Sequence, residues 1–198
     1  MELFGLFPIP VGKYVFDREF NQEEIDFFNN TEKKANQSNL ISKDFYILDN
    51  KPLRNIKTFF QKSIMDYIHK VHNPSYKIRC KFTQSWINFS EANQGHHYHT
   101  HPNSFISGVF YVQSDKAAPI NFHNVNPILL EIATKEHTPF TNGVRSFPSE
   151  EKILYLFPSY LPHSVPSNTS EQTRISISFN TFIMGTIGEK RGLTELEL

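Results

Sequence analysis

The chain has 198 residues, with 20 basic residues balanced by 20 acidic ones. This balance excludes the basic surface typical of proteins that bind nucleic acid or anionic membranes. The single cysteine, Cys80, excludes an internal disulfide and is typical of a reducing compartment. No apolar run approaches the roughly 20 residues that span a bilayer, and the N-terminus lacks the basic start of a signal peptide. We therefore expect a soluble, cytoplasmic protein of one domain, residues 1–198, with no nucleic-acid or membrane partner.

Helical patterns are confined to the N-terminal part, residues 1–75. Residues 22–29 (QEEIDFFN) predict a short helix with acidic residues in its first turn, as the helix dipole prefers. Residues 53–72 predict a longer helix, because apolar side chains recur there at intervals of three and four. Asn73 and Pro74 should end it.

From residue 76 onward the pattern changes to alternation or to short apolar runs, which predict strands. The predicted strands are residues 81–90, 105–112, 119–124, 127–133, 152–159 and 174–183. Short strands after a helical start indicate a mainly β fold, a barrel or jelly roll with a core over residues 76–184 and the N-terminal helices packed on it. We expect residues 188–198 to form a helical or frayed tail.

Four of the nine histidines lie in one run, HHYHTH, at residues 96–101. On an extended backbone, residues two apart face the same way, so His97, His99 and His101 should project to one side and His96 to the other. Two such imidazoles can bind one metal ion, and a third ligand from a distant strand would leave coordination positions open. His163 is the candidate for that third ligand.

Two alternatives to this ligand set stay open. The pair on the first strand is either His99 with His101 or His97 with His99, and Glu91 could fold back as a ligand. Isolated histidines elsewhere in the chain are more simply explained as surface or core residues.

Arg174 begins the strand RISISFN, eleven residues after His163. Arg174, Ser176, Ser178 and Asn180 share one face of that strand, which is either its solvent face or the wall of a polar pocket. An Arg fork with a Ser hydroxyl two residues on can bind a carboxylate. Beside a metal-binding histidine, this pair suits a small dicarboxylate whose other end chelates the metal.

Three segments carry a family resemblance: SWINFSEANQGHHYHTHPNSFISGVFYV, ILYLFPSYLPHSVPSN and TRISISFN. Their order and spacing resemble 2-oxoglutarate/Fe(II) oxygenases of marine bacteria and cyanophages, a group related to prolyl 4-hydroxylases. The resemblance implies a double-stranded β-helix, a cupin-like jelly roll, in the cytoplasm of a host cell if the gene is carried by a phage. It also implies an enzyme that uses O2, Fe(II) and 2-oxoglutarate to hydroxylate a C–H bond, with release of succinate and CO2.

The resemblance assigns roles to six residues. It implies that His99, His101 and His163 bind the metal and take part in catalysis, that Arg174 and Ser176 grip the distal carboxylate of 2-oxoglutarate, and that Asn88 contacts the cosubstrate. The primary substrate is unknown, and a protein or peptide is an expectation from the relationship to prolyl hydroxylases alone.

The chain departs from the wider superfamily at one ligand. The usual triad is two histidines and one carboxylate, whereas His101 occupies the carboxylate position. Three-histidine iron sites also occur in thiol dioxygenases, so a thiol dioxygenase, or a cupin-like metal-binding protein without oxygenase activity, is an alternative function. The sequence also leaves open whether His123 faces the pocket, whether residues 124–148 form a lid, and whether the protein is a homodimer.

Overall fold

The computed structural model describes residues 1–114, 116, 118–126 and 132–198. In this part of the chain the helices are α1 (Gln22–Asn30) and α2 (Arg54–His72), with 3-10 turns at Ile47–Asp49 and Lys51–Leu53. The strands are β1 (Gly12–Val15), β2 (Lys33–Ala35), β3 (Leu40–Ser42), β4 (Arg79–Ser90), β5 (His96–His99), β6 (Ile106–Gln113), β7 (Ile120–His123), β8 (Val144–Phe147), β9 (Ile153–Pro158), β10 (His163–Val165), β11 (Arg174–Met184), β12 (Thr186–Ile187) and β13 (Leu196–Glu197). None of the helices so described is long and apolar enough to cross a membrane.

Both helices begin and end close to the predicted residues. At the start of α1, the Asn21 side chain accepts a hydrogen bond from the Glu24 backbone N–H, and the Glu24 carboxylate accepts one from the Asn21 N–H. This reciprocal cap satisfies two backbone donors that the helix itself cannot. α2 ends at Asn73, whose φ of 41° is left-handed and turns the chain out of the helix.

The strands form two main antiparallel sheets. The larger sheet has the order β1-β9-β6-β11-β4-β3-β2, and the smaller sheet has the order β5-β10-β7-β8. From β4 to β11 the chain passes back and forth between these sheets, which is the arrangement of a jelly roll. Five of the six predicted strands are confirmed as β4, β6, β7, β9 and β11. The sixth, residues 127–133, lies mainly outside the described residues.

Helix α2 covers the outer face of the larger sheet through aromatic contacts. The Phe60 ring lies 4.9 Å from Phe179 on β11 and 5.2 Å from Phe110 on β6, measured between ring centroids. The inner face of the same sheet carries polar side chains instead, because Arg174, Ser176 and the residues opposite them alternate with these apolar ones. The sheet therefore has a dry outer face and a polar inner face.

The sequence patterns missed three short strands of the larger sheet and misjudged the chain end. β1, β2 and β3 contain three or four residues each, too few to show a period. The tail is not helical: Thr186–Ile187 pairs with Leu196–Glu197 in a separate two-stranded sheet. The run TELEL alternates polar and apolar residues, and this alternation is consistent with the observed β pairing.

A substitution at Gly108 tests the packing of this sheet. A Cβ on Gly108 would lie 2.2 Å from Cζ of Phe179, whose buried ring is held by Phe60 and Phe82. We expect Gly108→Ala to lower the free energy of unfolding by about 1–3 kcal/mol, as overpacking does. Gly143→Ala is the matched control, because its Cβ meets nothing within 4 Å. Urea denaturation measures both, and equal stabilities would contradict the packing described.

Candidate metal centre

Three histidine side chains converge where the small sheet meets the inner face of the large one. His99 ends β5, His163 begins β10 directly opposite it, and His101 lies in the turn after β5. The Nε2 atom of His101 is 3.1 Å from that of His99 and 3.2 Å from that of His163. A backbone hydrogen bond of 2.9 Å from His101 to the Ser159 carbonyl fixes the turn that carries the middle ligand.

The other ring nitrogen of each histidine has an oxygen acceptor. Nδ1 of His99 contacts the His97 carbonyl at 2.8 Å, Nδ1 of His163 contacts the Leu161 carbonyl at 3.0 Å, and Nδ1 of His101 contacts Asn180 Oδ1 at 2.5 Å. Since a carbonyl oxygen only accepts, each Nδ1 carries the proton and each Nε2 presents a lone pair to the centre.

These lone pairs fit a metal ion. Three Nε2 atoms that all accept cannot hydrogen-bond to one another, and at 3.1–3.2 Å their lone pairs repel. Ligands at right angles on one metal lie roughly 3 Å apart, because metal–imidazole bonds are about 2.0–2.1 Å long. Three protein ligands also leave further coordination positions of such an ion open. The three histidines therefore have the donor type and spacing of a metal site.

Burial keeps the histidines in the neutral form that binds metal. Desolvation, with a smaller effect of His99, lowers the pKa of His163 to about 3. Desolvation also lowers the pKa of His101 to about 4, against an opposing effect of its hydrogen bond to Asn180. Trp86 stacks on the His101 ring at 6.0 Å between centroids, which contributes to that burial.

The geometry favours His99 and His101 over the alternative pair. His97 is exposed and groups with His96 and His99, and that group does not include His163. Glu91 is exposed and belongs to neither group. Among the described residues, His163 therefore shares a candidate ligand set with His99 and His101 alone.

The prediction that His96 points away from His99 is wrong. Between β5 and β10, His163 lies opposite His99 and Val165 opposite His96, so three steps on β5 match two steps on β10. This bulge inserts one residue and returns His96 to the side of His99. Their rings are 4.5 Å apart, and both line the same cavity.

Arg174 forms the inner wall of that cavity. Its side chain is buried, with Nη1 donating to the Ala118 carbonyl at 3.0 Å and Nη2 to Ser90 Oγ at 3.1 Å. In the described part of the chain, no carboxylate lies within 4.0 Å of it. Desolvation lowers the pKa of Arg174 without removing its charge. A buried cation in this state favours an anionic ligand.

Two buried donors lack partners at this wall. Within the described residues, neither Arg174 Nε nor the Tyr111 hydroxyl has a hydrogen-bond partner. Tyr111 lies on β6, opposite Ser176, and burial raises its pKa, so the hydroxyl is a neutral donor. A carboxylate bound in this cavity would supply acceptors that these two donors lack. Donors for a carboxylate and the three histidines thus line the same cavity.

The other predicted cosubstrate residues line the same cavity. Ser176 and Asn88 are paired across β11 and β4, and both are buried. Asn88 lies on an interior strand, with its amide donating to Ser178 Oγ at 2.9 Å and accepting from Asn39 at 3.2 Å. The cavity is lined by Asn39, Trp86, Asn88, His96, His99, His101, Gly108, Val109, Tyr111, Ile120, Phe157, His163, Val165, Arg174, Ser176 and Ser178.

Three residues show what the sequence patterns could and could not detect. His123 does not line the cavity, because its Nε2 contacts Ser164 Oγ at 2.8 Å and its ring packs on Tyr98. Tyr111 was missed, since an aromatic residue in an apolar strand gives no polar signal. Asn180 was placed on the correct face of β11, but its bond to His101 depends on the fold.

Several solved structures share the fold of this chain. HygX from Streptomyces hygroscopicus, solved with nickel and 2-oxoglutarate, superposes with a TM-score of 0.60 at 9% identity, covering 87% of this chain and 82% of its own. A Pseudomonas putida prolyl-4-hydroxylase gives a TM-score of 0.55 at 8% identity, covering 87% and 92%. A Trichoplax adhaerens prolyl hydroxylase bound to a peptide fragment gives 0.55 at 15%, covering 81% and 75%. The fold is the jelly roll of these enzymes.

One segment of the sequence also matches a family model. Residues 84–180 match the model of the family described as "Putative 2OG-Fe(II) oxygenase", and this segment contains every predicted site residue. Curated proteins give no match. The family match, the fold and the histidine group together define an Fe(II)- and 2-oxoglutarate-dependent oxygenase.

Asn180 provides a test of how the centre is held. Asn180→Ala removes the oxygen that accepts from His101 Nδ1–H and, at 3.0 Å, from the Ser107 hydroxyl. We expect the dissociation constant for Co(II), measured by competition with a chelator, to rise about 10–100-fold, as for other outer ligand contacts. Asn180→Asp retains an oxygen acceptor and should stay near the parent. Equal affinities for all three proteins would exclude this role.

The low histidine pKa values predict a loss of stability in acid. In the metal-free protein, unfolded His163 takes up a proton near pH 6.5, whereas the folded side chain stays neutral to about pH 3. Stability is therefore complete above pH 6.5 and falls as the pH decreases toward 3, by up to about 1.4 kcal/mol per unit from this residue. Urea denaturation at pH 7.5 and 5.0 should show a smaller decrease for His163→Gln, and an equal decrease would refute the assignment.

Proposed function

We propose that this oxygenase hydroxylates a C–H bond of a peptidyl substrate, with His99, His101 and His163 as the iron ligands and Arg174 as the anchor of 2-oxoglutarate. The observation that carries the proposal is the position of the unpartnered Arg174 Nε and Tyr111 hydroxyl, on the wall of the cavity that also contains the three Nε2 lone pairs. When bound, iron and 2-oxoglutarate supply the oxidising power, and succinate and CO2 are released.

The residues around the cavity position the cosubstrate and exclude water from it. Arg174 and Tyr111 offer a charged and a neutral donor to the distal carboxylate, and Ser176 lies beside them on β11. Because Ser90 and the Ala118 carbonyl already fix the guanidinium, little side-chain freedom is lost on binding. Phe157 and Ile120 close the apolar side of the cavity.

The charges of the site are consistent with a dianionic cosubstrate. Three neutral imidazoles leave the two positive charges of Fe(II) uncompensated, whereas the usual carboxylate ligand would neutralise one. The dianion of 2-oxoglutarate balances the metal, and Arg174 adds one further positive charge at the distal carboxylate. The replacement of the carboxylate ligand by His101 thus strengthens the attraction for an anion at this site.

The open side of the metal centre favours an uncharged substrate group. A groove next to the histidines is lined by Asn36, Ile41, Phe45, Gln84, Trp86, His96, His97, His99, Thr100, His101, Pro102 and Asn180. Among the described residues this lining contains no lysine, arginine, aspartate or glutamate, and the nearby Lys34 Nζ is 4.0 Å from the Phe45 ring centroid. A residue inside a peptide is neutral, and the amide side chains of the lining can bond to its backbone. The prolyl hydroxylases among the similar structures support the same substrate class.

The first experiment measures cosubstrate binding directly. Fe(II) and 2-oxoglutarate are added without oxygen, and the weak visible charge-transfer band of their chelate is titrated. We expect the dissociation constant of 2-oxoglutarate to rise about 30-fold or more in Arg174→Ala and about tenfold in Tyr111→Phe. Tyr155→Phe is the control, because Tyr155 is equally buried but donates to the Pro148 carbonyl.

Each other outcome has a distinct meaning. Iron binding without the band would favour a three-histidine thiol dioxygenase or a metal-binding protein, which have no need of Arg174. A band of equal affinity in parent and Arg174→Ala would refute the anchor. Loss of iron binding in His163→Ala, but not in His97→Ala, is required by the proposed ligand set.

A further inference from the structure

A second group of three histidines overlaps the metal centre. The ligand atoms of His96, His97 and His99 lie within 4.8 Å of one another, as do those of His99, His101 and His163. His99 is common to both groups. The function proposed above uses one group and leaves His96 and His97 without a role.

The two groups differ in their access to solvent. His97 is exposed, His96, His99 and His101 are half-buried, and His163 is 6% exposed. His96, His97, His99 and His101 all line the open groove, whereas His163 lines only the inner cavity. His97 is thus the most accessible of the five histidines to an ion from solvent, and His163 is the least accessible.

The tautomer of His99 makes it a shared ligand through one atom. Its Nδ1–H donates to the His97 carbonyl at 2.8 Å, so Nε2 is the atom available to either group. That same Nε2 is 3.1 Å from His101 Nε2. An ion held by the outer group can thus keep its bond to His99 while His96 and His97 are exchanged for His101 and His163.

The bulge in β5 is what creates the outer group. In a regular strand, His96 and His99 would face opposite sides of the sheet. The extra residue between the pairs His163–His99 and Val165–His96 brings their rings to 4.5 Å, with His97 4.9 Å from His96. A bulge beside an active site commonly re-aims a side chain, and here it leaves two imidazoles at the mouth.

We propose that His96 and His97 form a capture site that takes up a divalent metal ion at the mouth of the groove and passes it to His101 and His163 through His99. The inference rests on the metal centre proposed above. Capture replaces the waters of the ion by imidazoles in two stages, one at the surface and one in the buried site, so the ion never has to enter the cavity without ligands.

Trp86 allows the transfer to be followed. It is the only tryptophan of the chain, and its ring is stacked on His101, 6.0 Å away. Co(II) is mixed with metal-free protein in a stopped-flow instrument, and the quenching of Trp86 fluorescence that is lost in His163→Ala reports arrival at the inner site. Competition with a chelator gives the equilibrium dissociation constant of the same site.

We expect His96→Ala/His97→Ala to load at least tenfold more slowly than the parent, with a dissociation constant changed less than threefold. His123→Ala/His137→Ala removes two histidines that line neither the groove nor the cavity and should load at the parental rate. An unchanged loading rate in the first variant would overturn the proposal. So would a loss of affinity as large as the loss of rate, because His96 or His97 would then support the final site.

A further variant separates this proposal from the assignment of the metal centre. His163→Ala should lose tight binding yet retain weak Co(II) binding that depends on His97. Tight binding that survives in His163→Ala would refute the inner ligand set itself. Two tightly bound ions in the parent would refute transfer, because the outer group would then be a stable second site that does not release its ion to the inner one.

Discussion

The structure depends on one constraint, the placing of three imidazole lone pairs within 4.8 Å of one another without a proton between them. Each ring needs an acceptor for its Nδ1–H, and two of the three acceptors are backbone carbonyls within two residues of the histidine. The third is Asn180, on the central strand of the other sheet. The candidate metal centre therefore joins the small sheet to the large one, and its geometry depends on how the two sheets pack together.

That packing is divided between the two faces of β11. The outward residues of β11, including Phe179, contact α2 and hold the sheet rigid, while the inward residues build the cavity. The strand begins with Arg174, the proposed anchor, and carries Asn180, the hydrogen-bond partner of His101, on the same face. In the proposed function, one strand thus sets the distance between the carboxylate anchor and the metal ligands.

Sequence patterns predicted most of this arrangement because it follows local rules. The spacing HTH and the alternation of RISISFN each depend on a regular strand, and the structure places His99, His101 and Arg174 at one cavity. The predictions failed where a strand is irregular or where a contact joins distant parts of the chain. His96 was misplaced by a bulge, which has no signature in a run of similar residues. Tyr111 and the bond from His101 to Asn180 join strands far apart in the chain, and a single sequence does not specify such pairings.

The buried charge of Arg174 has a further consequence for the stability and turnover of the protein. If 2-oxoglutarate supplies the missing anion, it binds the folded state and not the unfolded chain. The free energy of unfolding then rises with the concentration of the metabolite, by about 2.7 kcal/mol at one hundred times the dissociation constant. The folded fraction rises with it. The amount of enzyme that escapes proteolysis would follow the supply of its own cosubstrate. A residue selected for binding would in this way couple carbon metabolism to protein turnover.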